Sequence, residues 1–115
     1  MRREPDEAYI IKRNETYELK IIEKKYQTAE GSVDVKLGAA GFFLYQYQQS
    51  LSQFSNITYA FCVNDFFRQE KYDDVRKYNK EHLNVEMFYG EDSTYFETLD
   101  KWIGICPNEA CSFEQ

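Results

Sequence analysis

The sequence predicts an α/β domain in which helices flank a mixed β-sheet, and three observations support this class. Two β-rich segments open the chain on either side of a short polar turn. Apolar side chains then recur at steps of three and four residues, as in an amphipathic helix. Short apolar segments alternate with helical patterns in the rest of the chain. Because a hairpin is antiparallel and helical crossovers join parallel strands, we expect both arrangements in the sheet.

The opening segments predict a β-hairpin. Residues 7–13 and 16–27 are rich in residues that favour strands. Asn14 and Glu15 lie between them and predict a two-residue turn.

A helix is expected from residue 33 to residue 52, with Ser32 as its candidate N-cap. One face of this helix carries the apolar side chains. These are Val33, Leu37, Ala40, Leu44, Tyr47 and Leu51.

The second half of the chain predicts four further elements. Residues 57–63 are a short apolar run, typical of a strand covered on both faces. Residues 66–82 predict a helix. Alternation of Val85, Met87 and Tyr89 predicts a last strand. Residues 93–104 predict a closing helix, and one face of it carries Phe96, Leu99 and Ile103. The predicted order is β-β-α-β-α-β-α, in one domain spanning residues 1–115.

Composition limits the function classes. The chain is 43% hydrophobic and 30% charged, as expected for a globular domain, and its net charge is −6. This charge opposes nucleic-acid binding, which rests on Lys and Arg neutralising phosphates. A metal site built from carboxylates would itself add negative charge, and the bound cation would reverse the local field.

The sequence has no 18-residue apolar stretch and no apolar segment behind its charged start, so we expect neither a membrane span nor a signal peptide. The expected location is cytoplasmic. Cys62 lies in an apolar run and predicts a buried free thiol. Cys106 and Cys111 are interpreted as reduced thiols, with a disulfide or a metal site as alternatives.

The register of the hairpin brings two acids together. A two-residue turn at 14–15 pairs residues whose numbers sum to 29, so Asp6 faces Glu23. Side chains alternate between faces with a period of two, which puts Lys25 on the same face. The second Glu-x-Lys, Glu18-Leu19-Lys20, pairs Glu18 with Ile11 on the opposite face and has no acidic partner.

Facing carboxylates repel each other unless something compensates them, and Mg²⁺ prefers such hard oxygen ligands. The metal would polarise a phosphate and lower the pKa of a bound water. A neighbouring lysine could orient or deprotonate that water. Asp6, Glu23 and Lys25 are therefore the minimum parts for phosphodiester hydrolysis.

The pattern of Pro5-Asp6, a strand and then Glu23-Lys24-Lys25 resembles the PD-(D/E)XK signature of restriction-endonuclease-like nucleases. Residues 22–37 are similar to a segment of some type II restriction endonucleases, in which the catalytic strand runs into a Gly-Ser loop and a helix that carries a lysine. The family usually has a helix and a strand before the Pro-Asp, so we expect this chain to lack those two elements.

The resemblance implies a restriction-endonuclease-like core and a metal-dependent endonuclease that acts on double-stranded DNA in a restriction system. It implies Asp6 and Glu23 as metal ligands, with the carbonyl of Lys24 as a third, and Lys25 as the catalytic lysine. The implied cofactor is Mg²⁺, with Mn²⁺ as a substitute, and the implied assembly is a homodimer. Alternatives are an inactive remnant serving as a binding or assembly module, and a DNA repair or junction nuclease.

Further side chains are candidates for contact with DNA. Gln27 lies on the same strand face as Glu23 and Lys25. Ser32 is at the expected helix start, where main-chain amide groups could hold a phosphate, and Lys36 lies one turn later. Capping by Ser32 and solvation of Lys36 are the alternatives. The hairpin also forms a locally basic segment through Lys12, Arg13, Lys20, Lys24 and Lys25.

Overall fold

A computed structural model of the chain describes residues 5–28 and 36–104. Its four strands form one mixed sheet in the order β1-β2-β3-β4, flanked by helices on both faces. The predicted α/β class is confirmed. The regular elements are β1 (Glu7–Arg13), β2 (Thr16–Lys25), α1 (Ala40–Ser50), β3 (Asn56–Val63), α2 (Asp73–Leu83), β4 (Glu86–Tyr89) and α3 (Tyr95–Ile103).

The hairpin has the predicted register. β1 pairs with β2 antiparallel, and Arg13 lies opposite Thr16. Asn14 has a φ of 56°, a left-handed value that asparagine tolerates better than most residues, and it makes the tight turn possible. β2 and β3 pair parallel, as do β3 and β4, because a helix connects each pair.

The sheet has a hydrophobic core on each face. On one face, Leu19 and Ile21 of β2 pack with side chains of β3, α1 and α2. On the other face, Ile22 and Cys62 pack with Leu99 and Ile103 of α3. β3 is buried from Ile57 to Val63, so the predicted coverage on both faces is confirmed.

β2 ends two residues earlier than predicted. Lys25 pairs with Val63, the last residue of β3, and the ladder stops there. The side-chain amide of Asn64 then binds Gln27, accepting from its main-chain N–H at 3.1 Å and donating to its carbonyl at 2.7 Å. Asn64 therefore binds the main chain of Gln27 just beyond the end of the ladder.

The predicted helix over residues 33–52 is interrupted. Residues 36–38 are helical, but a turn at Ala39 separates them from α1. Gly38 and Gly41 flank this turn and have low helix propensity. Residues 29–35, with the predicted N-cap Ser32, lie outside the described residues.

The predicted helix over residues 66–82 begins later than expected. Two 3₁₀ turns, Asp65–Arg68 and Glu70–Tyr72, come before α2, and Gln69 between them is extended at φ −59° and ψ 146°. Packing outweighs helix propensity here, because three aromatic rings cluster with centroids 5.0–5.8 Å apart and two of them are buried in the core with side chains of β2 and β3. These rings belong to Phe66, Phe67 and Tyr72.

The closing helix differs from its prediction in one buried position. Leu99 and Ile103 face the core as predicted, but Phe96 is 73% exposed. Tyr95, one residue earlier, packs against the core instead, because it shares the helical face of Leu99. Within residues 5–28 and 36–104, no helix is long and apolar enough to cross a membrane.

Candidate active site

The open end of the hairpin brings Asp6 next to Glu23. Glu7 pairs with Ile22 in the ladder, so Asp6 lies one step beyond, opposite Glu23. The Asp6 carboxylate lies near the end of β2, and its Oδ2 accepts a hydrogen bond from the main-chain N–H of Lys24 at 2.7 Å. This bond closes the ladder and fixes the carboxylate beside the strand that carries Glu23.

Glu23 is a buried acid. Its side chain is 3% exposed, although it lies near the end of a strand. The hydroxyl of Tyr47 in α1 donates a hydrogen bond to its Oε1 at 2.5 Å. Tyr47 is itself 1% exposed, and its ring packs on Tyr59 with 5.8 Å between centroids. The helix therefore holds the position of the carboxylate.

Burial raises the pKa of Glu23 above its ordinary value, since the charged form loses its hydration. The hydrogen bond from Tyr47 opposes this rise, whereas the neighbouring Asp6 carboxylate adds to it. The charge of Lys25 also lowers the pKa. Asp6 and Lys25 therefore both act electrostatically on Glu23, as their places in the predicted register require.

Lys25 lies in the last ladder position of β2, with a half-buried side chain. Because side chains alternate along a strand, Lys25 lies on the same face of β2 as Glu23. The rival Glu-x-Lys lies on the other face. There Glu18 pairs with Ile11, and the Lys20 ammonium lies 4.8 Å from the centre of the Trp102 ring.

The opposite face of the hairpin end carries a separate charge pair. Lys24 Nζ lies 2.6 Å from Glu7 Oε2, and the Tyr9 hydroxyl donates to Glu7 Oε1 at 2.7 Å. The hydrogen bonds from Lys24 and Tyr9 lower the pKa of Glu7. The bond to Glu7 raises the pKa of Tyr9 to about 12.

The basic segment predicted on the hairpin is therefore divided between two faces. Lys20 and Lys24 are bound to Trp102 and Glu7 on the α3 side. Lys12 and Lys25 lie on the side of Glu23 by alternation. A DNA backbone approaching Glu23 would meet only part of the predicted basic segment.

Among the predicted DNA contacts, Gln27 continues past β2 with its main chain bound by Asn64. Lys36 has an exposed side chain in the helical segment 36–38. Ser32 lies outside the described residues, as do Cys106 and Cys111. Roles for Gln27, Ser32 and Lys36 in DNA binding stay predictions.

Few groups at this site could serve as metal ligands. Within the described part of the chain, no group of three or more His, Cys, Asp or Glu side chains could hold a metal ion. Asp6 and Glu23 provide two carboxylates, and the main chain at Lys24 runs beside them. Mg²⁺ binds through one or two carboxylates and keeps several waters, so two acids and a carbonyl fit its usual coordination. A buried glutamate whose pKa is raised by burial and by a neighbouring carboxylate also fits a cation site.

Sequence reasoning missed Tyr47 as a partner of Glu23. It did place Tyr47 on the inward face of the helix, and a buried tyrosine hydroxyl needs a hydrogen-bond partner. That requirement, applied to an acid on the core face of β2, could have identified the contact. Nothing comparable in the sequence signals the binding of Gln27 by Asn64.

No protein-family model, curated protein or solved structure matches this chain.

Proposed function

We propose that this protein is a Mg²⁺-dependent endonuclease that hydrolyses phosphodiester bonds of double-stranded DNA, built on a restriction-endonuclease-like core. The observation that carries the proposal is the buried carboxylate of Glu23 beside Asp6, with Lys25 on the same face. Burying one acid beside another carboxylate costs stability, and such costs cluster at functional sites. The resemblance of Pro5-Asp6 and Glu23-Lys24-Lys25 to the PD-(D/E)XK signature supports the same activity.

Asp6, Glu23 and the Lys24 carbonyl would hold the metal. The Tyr47 hydroxyl donates to Oε1 of Glu23, and the Lys24 N–H donates to Oδ2 of Asp6, so a donor orients each carboxylate. Bound Mg²⁺ would supply charge stabilisation at the scissile phosphate and a more acidic water.

Lys25 would act on the attacking water. Its ammonium lies close enough to Glu23 to lower that residue's pKa, so it belongs to the same electrostatic site. From there it can orient the nucleophile by a hydrogen bond and stabilise the negative charge that develops on the phosphate oxygens.

The decisive experiment compares two lysines of one strand. Purified protein should nick plasmid DNA with Mg²⁺ and lose this activity in EDTA. Lys25→Ala should slow cleavage by roughly 100- to 10,000-fold, the usual contribution of a positioned acid–base group. Lys20→Ala is the matched control, since Lys20 belongs to the second Glu-x-Lys and packs on Trp102. Equal cleavage by both variants would remove Lys25 from the mechanism.

Metal binding is tested separately from catalysis. Calorimetric titration with Mn²⁺ should give binding in the wild type and a large loss of affinity in Asp6→Asn. Circular dichroism of the variant checks that the fold is kept. If the wild type shows no binding at millimolar metal, the nuclease proposal is wrong and a metal-free binding or assembly module is favoured.

A further inference from the structure

The outer edge of β1 is the most exposed strand edge that the structure describes. β1 is the first strand of the sheet order, so only β2 pairs with it among the described strands. It is seven residues long, whereas β4 at the opposite edge has four. Glu86 of β4 also forms an ion pair with Lys80 of α2. The two edges therefore differ in length and in protection.

The centre of β1 is apolar and open to solvent. Ile10, the middle residue of the strand, is 64% exposed. Ala8 shares its face and is also exposed. Natural proteins usually protect an edge strand with charges, bulges or a covering element, because its free main-chain groups can pair with another chain. The charges of β1 lie at its two ends, so its centre at Ile10 stays apolar and open among the described residues.

The charges of β1 are arranged so that an antiparallel copy fits it. The segment begins with the acids Asp6 and Glu7 and ends with the bases Lys12 and Arg13. A second copy in the opposite direction would place each acidic start beside a basic end. A parallel copy would place like charges together, which is unfavourable.

We propose that two copies of this chain associate through β1, edge to edge and antiparallel, with a two-fold axis at Ile10. This register pairs all seven residues and puts Ile10 opposite Ile10 of the second copy, and Ala8 opposite its Lys12. Because Arg13 and Thr16 close the hairpin turn, Ala8, Ile10 and Lys12 direct their main-chain groups outward. About six new main-chain hydrogen bonds would join the two sheets into one of eight strands.

The partner strand is β1 of a second copy and not an unrelated strand. In the antiparallel arrangement, the acidic start of each β1 lies beside the basic end of the other. Both copies would keep α1 on the same face of the joined sheet, since an axis perpendicular to the sheet preserves its faces. The association does not depend on the proposed nuclease activity, and it is measured without metal or DNA.

Sedimentation velocity over a wide concentration range tests the association. The wild type should show a monomer–dimer equilibrium. Ile10→Lys should raise the dissociation constant at least tenfold, because two ammonium groups would then face each other at the axis. Phe42→Lys is the matched control, as Phe42 is 59% exposed in α1, and its dissociation constant should equal that of the wild type. A wild type of single-chain mass throughout, or a loss confined to Phe42→Lys, would overturn the proposal.

Cross-linking tests the register. In a background with Cys106 and Cys111 changed to serine, Ile10→Cys should form a covalent dimer with a short bismaleimide. A mixture of Ala8→Cys and Lys12→Cys should give the cross-linked heterodimer, whereas Ala8→Cys alone should give far less dimer. Equal yields from the mixture and from Ala8→Cys alone would show that the copies meet in another way.

Discussion

At the carboxyl end of β2, the charged side chains on the two faces of the strand differ in burial and in their partners. Glu23 lies on one face, 3% exposed, with Tyr47 and a second acid as neighbours. Lys24, the next residue, lies on the other face with a 53% exposed side chain and pairs with Glu7. One carboxylate has a raised pKa and the other a lowered one, although one hairpin carries both.

This difference separates the charge that we propose to be functional from one that stabilises the fold. A surface pair such as Glu7 with Lys24 gains a little stability and loses little hydration. Glu23 loses its hydration and faces the repulsion of Asp6, which costs stability in the absence of a cation. Such a cost persists in a protein when the site has a use for it.

The largest expected effect comes from Glu23→Gln. The amide keeps an acceptor for Tyr47 but removes the charge, so cleavage should fall by at least about 1000-fold. The same variant should be more stable than the wild type by about 1 kcal/mol at neutral pH without metal, since the buried charge is gone. Plasmid cleavage and urea unfolding measure the two changes. A variant less stable than the wild type would contradict the assigned cost of the buried charge.

Tyr47→Phe should destabilise the protein by about 1–3 kcal/mol, because the buried carboxylate loses its donor. The ring and its packing on Tyr59 are kept, so the change reports on the hydroxyl. In a double-mutant cycle, Tyr47→Phe should cost much less in the Glu23→Gln background. Equal costs in both backgrounds would mean that the hydroxyl does not act through Glu23.

The two carboxylates should give opposite pH dependences of stability. A raised folded-state pKa at Glu23 means that its contribution is most favourable below the ordinary glutamate pKa, about 4.3, and is lost as pH rises through the folded value. The stability gain of Glu23→Gln should therefore be small near pH 4 and increase towards neutral pH. Urea unfolding of both proteins across this range measures the difference. A gain that stays constant with pH would rule out the titration of Glu23 as its cause.

The smallest effect is expected for Glu7→Gln. The lowered pKa of Glu7 means that its ion pair stabilises the fold above the ordinary glutamate pKa, and that this contribution is lost as pH falls through the folded value. The variant should be slightly less stable at neutral pH and equal to the wild type in acid. A loss as large as that of Tyr47→Phe would mean that the two faces do not differ as described.

The hairpin was predictable because its register follows from local rules. A two-residue turn at Asn14 and Glu15 fixes every pair along β1 and β2, and alternation then fixes the faces. The meeting of Asp6 and Glu23 follows from those two rules alone. The same rules separate Lys20 and Lys24 from Lys25.

The elements that depend on distant packing were harder to predict. The 3₁₀ turns before α2 bury Phe67 and Tyr72 in the core with side chains of β2 and β3, whereas the propensities of residues 66–72 favour a continuous helix. The burial of Glu23 needs Tyr47, which is 24 residues away in the chain. Periodicity placed Tyr47 on the apolar face of its helix, and strand alternation placed Glu23 on the face of Asp6, but neither pattern could pair them.

The bond between the Lys24 amide and Asp6 makes a main-chain proton responsive to events at the site. An amide that donates to a carboxylate shifts its NMR resonance when that carboxylate is protonated or ligated. In a ¹⁵N-labelled sample, the Lys24 cross-peak would therefore report cation addition, without any probe attached to the protein.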